Sequence, residues 1–223
     1  MSARVGIVVF PGSCDEADAA LAVQRAGHEA EYLWHGDRDL GGIDAIVIPG
    51  GFSYGDYLRA GAIARFAPLM EEVSRFAREG GPVLGICNGF QVLCEAGLLP
   101  GALLRNTSLR FVCRQVGVRV EHDRSVFTRG YEPGRLLSLP VKHSVGRWFA
   151  PPDELERLEG DGQLLLRYAA GSNPNGSTLD VAGVSNEAGN VLGLMPHPEH
   201  ATDELTGSTD GLPLFGALAP VAA

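Results

Sequence analysis

The chain has 223 residues, 45% of them hydrophobic and 20% charged, with a formal net charge of −9. Its length supports one sizeable α/β core, its scattered Lys and Arg on an acidic background argue against a nucleic-acid surface, and no apolar run is long enough for a membrane span. The four cysteines, Cys14, Cys87, Cys94 and Cys113, make no Cys-x-x-Cys pair, so no disulfide framework and no zinc or other metal site is expected.

Met1-Ser2-Ala3-Arg4 leads straight into an apolar run without a signal-peptide pattern, which predicts a cytoplasmic protein. Strand one is predicted over residues 4–10. A helix follows over 15–26, where Ala19, Ala20, Val23 and Ala26 share a face. Strands two and three fall at 29–34 and 43–48, the second of these ended by Pro49-Gly50-Gly51. A helix over 66–78 then leads through Gly80-Gly81 to a short apolar strand at 82–86 and another helix at 88–97. This alternation is that of a parallel sheet. Beyond Gly101 the pattern changes to antiparallel strands at 111–121, 136–141 and 163–169, with a short acidic helix at 153–158 and a last apolar strand at 190–195. Residues 171–177 are turn chemistry. No linker or repeat divides the chain, so residues 1–223 are expected to form a single domain.

Gly85-Ile86-Cys87-Asn88-Gly89 places a cysteine between two glycines where a strand gives way to a helix. Glycines two residues either side let backbones close around a sharp turn, the steric logic of a nucleophile elbow. The helix N-terminus favours thiolate over thiol and leaves the Asn88 amide free to face an oxyanion. A cysteine nucleophile needs a base, and His197 in Pro196-His197-Pro198-Glu199 is the candidate, with Glu199 accepting from the imidazole to fix its tautomer. Sites in parallel sheets form beyond the carboxyl ends of strands, where Gly50-Gly51-Phe52, Cys87 and His197 all fall. The pair Gly50-Gly51 is either a tight strand exit or, with Phe52, the second donor of an oxyanion hole. Cys14, Cys94 and Cys113 read as small buried hydrophobes. His28, His35, His122, His143 and His200 lack a comparable partner and read as structural or solvent-exposed. No Gly-x-Gly-x-x-Gly or Gly-x-x-x-x-Gly-Lys pattern is present, so no nucleotide cofactor is expected on this chain.

Together these segments resemble the class I glutamine amidotransferases. More narrowly, residues 49–61 (Pro-Gly-Gly-Phe-Ser-Tyr-Gly-Asp-Tyr-Leu-Arg-Ala-Gly), 85–91, 173–177 (Asn-Pro-Asn-Gly-Ser) and 195–199 resemble the glutaminase subunits of phosphoribosylformylglycinamidine synthases. The resemblance implies a three-layer, flavodoxin-like α/β domain with a mostly parallel central sheet and an additional antiparallel portion. It implies a Cys87-His197-Glu199 triad that hydrolyses glutamine through a thioester, oxyanion donors at Asn88 and in the Gly51-Phe52 region, and glutamine contacts at Gly50 and Gln91. It further implies a larger synthetase subunit that receives the ammonia and carries ATP and magnesium, with a small third subunit in the complex. Around His143 the family commonly reads Pro-Ile-Ala-His-Gly-Glu-Gly, whereas this chain reads Pro140-Val141-Lys142-His143-Ser144-Val145-Gly146, and no role passes to His143. The rival readings are a cysteine hydrolase or stress-response protein of similar architecture, and a non-catalytic assembly subunit.

Overall fold

The computed structural model describes residues 2–219. Its first half is the expected alternation: β1 (Arg4–Val9), α1 (Glu16–Arg25), β2 (Glu29–Trp34), β3 (Ala45–Ile48), α2 (Pro68–Arg78), β4 (Val83–Ile86) and α3 (Asn88–Glu95). Pro68 opens α2 because its missing N–H costs nothing at a first helical position. The second half adds β5 (Ala102–Arg105), β6 (Val112–Val120), β7 (Leu136–His143), β8 (Val145–Phe149), α4 (Pro152–Gly160), β9 (Leu166–Tyr168), β10 (Val181–Ser185), β11 (Val191–Leu194) and α5 (Leu212–Gly216).

Nine strands form one sheet in the order β2-β1-β3-β4-β11-β10-β9-β6-β7, and β5 pairs with β8 in a small antiparallel ribbon. The first five strands in that order run parallel. The remaining pairings are antiparallel. Strands β3, β4 and β11 are buried at every residue, as a sheet covered on both faces requires, while β2 at the edge leaves Tyr32 and Trp34 exposed. The chain steps one way from β1 to β2 and the other way from β3 to β4, so right-handed crossovers put α1 and α2 on opposite faces. The strand order reverses between β1 and β3, the switch point at which α/β sheets open a crevice.

Candidate active site

The carboxyl ends of β1, β3, β4 and β11 lie side by side. Cys87 sits between β4 and α3 with φ 50° and ψ −100°, a conformation that a residue with a Cβ adopts only when its surroundings impose it. A Cβ on Gly89 would collide with the Ile48 carbonyl, and one on Gly85 with Leu93 and the Gly89 backbone. The two glycines therefore let α3 press onto β3 and β4, and that approach forces the turn. The Cys87 N–H donates to the Leu194 carbonyl at 2.8 Å, fastening the elbow to β11. The first helical bond in α3 is Gln91 N–H to the Cys87 carbonyl at 3.2 Å, so the Asn88 amide lies ahead of the ladder.

His197 follows β11 and is held by its own N–H, which donates to the Pro140 carbonyl at 2.8 Å. Its Nδ1 lies 2.5 Å from Glu199 Oε1, and both side chains are out of solvent. An ionised carboxylate only accepts, so Nδ1 carries the proton and Nε2 is the basic nitrogen. That Nε2 is buried and has no hydrogen-bond partner among the described residues. Burial pulls the imidazole's pKa down, but the charges of Glu199 and then Cys87 outweigh it and carry the pKa up to about 10. The arrangement favours a protonated imidazole at the pocket that Cys87 lines.

Gly51 has φ 155°, and a Cβ there would collide with the backbone of Gly12, Ser13 and Cys14, so there is no room for a side chain. The Phe52 N–H donates to the Gly12 carbonyl at 2.8 Å. Against the expectation for Phe52, its amide is spent here on the turn after β1. Gly50 packs against the Asp15 carboxylate and the His197 ring, so its lack of a Cβ serves the approach of those two groups.

Gln91 lines the pocket in front of Cys87. Its amide is engaged at both ends, accepting from Asn88 Nδ2 at 2.8 Å and donating to the Val145 carbonyl at 2.6 Å. It thus braces the pocket wall. Asn175, fully buried, donates from Nδ2 to His143 Nε2 at 3.1 Å and to the Gly146 carbonyl at 2.8 Å. The Asn-Pro-Asn-Gly-Ser turn therefore pins the strand end that carries Lys142 and His143. Burial first, and then the charge of His197, pushes the His143 pKa down to about 3, so this ring is neutral.

Four residues of the site were not foreseen. Asp15, at the turn after β1, is 3% exposed and puts Oδ2 3.7 Å from His197 Nδ1. Lys142 Nζ forms an ion pair with Asp15 Oδ1. His200 Nε2 lies 3.5 Å from the same carboxylate oxygen, which brings His200 into the surroundings of the triad. Cys14 is exposed on the pocket wall, and Cys113 is exposed on β6, against the expectation of buried hydrophobes, because each lies on a turn or strand face that none of the described residues covers. Cys94 is partly buried as expected, its Sγ 3.6 Å from the Pro100 carbonyl. The strand-end rule, applied to strand one as it was to the others, reaches Asp15; no sequence signal reaches Lys142. Asp15, His197, Glu199 and His200 bring their polar atoms within 4.8 Å of one another, close enough to chelate a cation. Those atoms are already engaged, Asp15 by Lys142 and His197 by Glu199.

A sequence profile of the CobB/CobQ-like glutamine amidotransferase domain matches residues 2–210. The chain belongs to this family. The amidotransferase is 60% identical to phosphoribosylformylglycinamidine synthase subunit PurQ of Frankia casuarinae, over 96% of this chain and 91% of that one. It is 62% identical to the PurQ subunit of Rubrobacter xylanophilus, over 94% of each chain. A chain in the solved structure of PurLQS from Thermotoga maritima superposes on the amidotransferase with a TM-score of 0.89 at 42% identity, over 98% of each. No helix among the described residues of the amidotransferase is long and apolar enough to cross a membrane.

Proposed function

We propose that this chain is the glutaminase subunit of a phosphoribosylformylglycinamidine synthase, and that it passes ammonia to a separate synthetase subunit. The supporting observation is the Cys87 elbow sharing one pocket with the base His197, whose Nδ1 is fixed by Glu199, in a chain whose relatives carry that name. Cys87 Sγ attacks the carboxamide carbon of glutamine, and the charge that develops on oxygen is met by the Asn88 and Gly51 amides. His197 Nε2 then gives its proton to the departing nitrogen, and ammonia leaves behind a glutamyl thioester. Water attacks the thioester, His197 takes its proton, and the collapsing intermediate returns the thiolate and releases glutamate. The chain works as one glutaminase domain in the cytoplasm. The synthetase subunit supplies ATP and magnesium, converts formylglycinamide ribonucleotide to formylglycinamidine ribonucleotide, and is accompanied by a small third subunit.

The test is reconstitution with the cognate synthetase. Cys87→Ser should abolish glutamine-dependent product while free ammonia still supports it. Glutamine-dependent turnover that survives this substitution would overturn the mechanism, and product absent with both nitrogen sources would overturn the partner assignment.

A further inference from the structure

The imidazole of His197 has one Nδ1 proton and two carboxylates near it. Glu199 Oε1 is at 2.5 Å and Asp15 Oδ2 at 3.7 Å. Asp15 is almost wholly buried, and a buried carboxylate without a counter-charge draws a proton or a cation to itself. The groups at hand are His200, 3.5 Å from the carboxylate, and the His197 imidazolium at 3.7 Å, and only the second holds the catalytic base. If Asp15 took the Nδ1 proton, the ring would turn and carry Nε2 away from Cys87.

Lys142 prevents this. Its ammonium reaches Asp15 Oδ1 from the end of β7, the edge strand farthest from β2, and Lys142 forms part of the pocket wall beside Cys87. We propose that Lys142 is a positioning residue of the glutaminase centre, one that withdraws Asp15 from His197 and leaves Glu199 to orient the ring alone. The inference rests on the glutaminase reading above.

All the charged groups facing His197 bear on the outcome. Glu199 and His200 come from its own turn, Asp15 from the turn after β1, Cys87 from the elbow, and Lys142 and His143 from β7. His143 is held neutral, and the Asp15 carboxyl is held well below the usual range: burial pushes it up, but His200, Lys142 and His197 outweigh that. Removing the Lys142 charge therefore exposes the thiolate–imidazolium pair to an uncompensated carboxylate. That extra negative charge disfavours ionisation of Cys87 and favours protonation of His197, so both limbs of the pH dependence move up. Removing the Asp15 charge does the opposite.

The first measurement is the rate of alkylation of the Cys87 peptide by iodoacetamide across pH, read by mass spectrometry on the full chain so that exposed Cys14 and Cys113 do not contribute. Lys142→Met should move the profile up by about one pH unit and Asp15→Asn should move it down by a similar amount. The double variant, which buries a neutral pair, should return close to wild type, and Lys142→Arg should hold the profile in place. In the reconstituted complex, Lys142→Met should lower glutaminase kcat at neutral pH by about tenfold with little change in KM, and the double variant should recover most of it. Profiles that do not move in the single variants overturn the proposal. So does a rise in KM without a pH shift, which would mark Lys142 as a substrate contact, or a folded double variant that recovers nothing. Absence of glutamine hydrolysis in the wild-type complex would overturn the glutaminase reading instead, and the alkylation profiles would still decide the role of Lys142.

Discussion

Glu199 Oε1 lies 2.5 Å from His197 Nδ1 with neither side chain open to solvent, and this contact makes the imidazole a base with a direction. Glu199→Gln keeps the shape but replaces an obligate acceptor with an amide that can also donate, so the wrong tautomer becomes accessible. Glutaminase kcat should fall by about 10³- to 10⁴-fold with KM little changed. Steady-state assays of the complex measure this, and an unchanged kcat would remove Glu199 from the mechanism.

Two buried histidines should make stability depend on pH in opposite ways. His197 has its pKa raised from 6.5 to about 10, so its contribution is fully present below pH 6.5 and is lost as pH rises through 10. His143 has its pKa lowered from 6.5 to about 3; the unfolded chain takes up a proton that the folded one refuses, so stability falls as pH drops from 6.5 towards 3. Thermal melts across this range should peak near neutrality. Glu199→Gln should flatten the alkaline side and His143→Gln the acid side; a curve whose limbs ignore both substitutions would contradict this assignment.

Gly89→Ala sets a methyl group against the Ile48 carbonyl, where only a shift of α3 can make room. The expected loss is about 1–3 kcal/mol of stability, with glutaminase activity lost beyond that because the elbow itself moves. Gly216→Ala is the control, since its Cβ would enter open space on a helix and should stabilise by up to about 1 kcal/mol. Denaturant titrations of the two variants should separate by sign, and equal effects would mean that α3 is less tightly seated than the structure has it.

Asn175→Ala removes the donor to His143 Nε2 and to the Gly146 carbonyl, both in the interior. An unpaired buried polar group costs about 1–3 kcal/mol. Because the same amide pins the strand end that carries the pocket wall, KM for glutamine should rise together with the loss in melting temperature. A variant that melts lower but binds glutamine normally would confine Asn175 to a structural role.

Much of this architecture was legible because the chemistry follows strand ends. The predicted bounds of β2 coincide with those observed, and the elbow, the Gly-Gly exit and the His-Pro-Glu turn occupy neighbouring strand ends as the parallel order requires. Strand β10 escaped because Val181-Ala182-Gly183-Val184-Ser185 is buried at every residue and shows no alternation. The β5–β8 ribbon escaped because β5 is mostly exposed and one of the two inward positions of β8 is Gly146, so neither strand alternates in hydrophobicity. Phe52 was misassigned because an amide's partner depends on another loop, here Gly12. Lys142 was invisible for a related reason: it reaches Asp15 only because the antiparallel half of the sheet folds back across the strand ends, and no local pattern encodes that return.

Strand β11 stands between β4 and β10, in the middle of the sheet, although only β10 precedes it so late in the chain. Until residues 191–194 leave the ribosome, the two halves of the sheet have no common member, and the keystone is translated after both strands that it joins. The same strand then delivers His197. A nascent chain therefore carries its thiol without a base from Cys87 until His197 is made, and the nucleophile gains its reactivity only in the step that closes the fold.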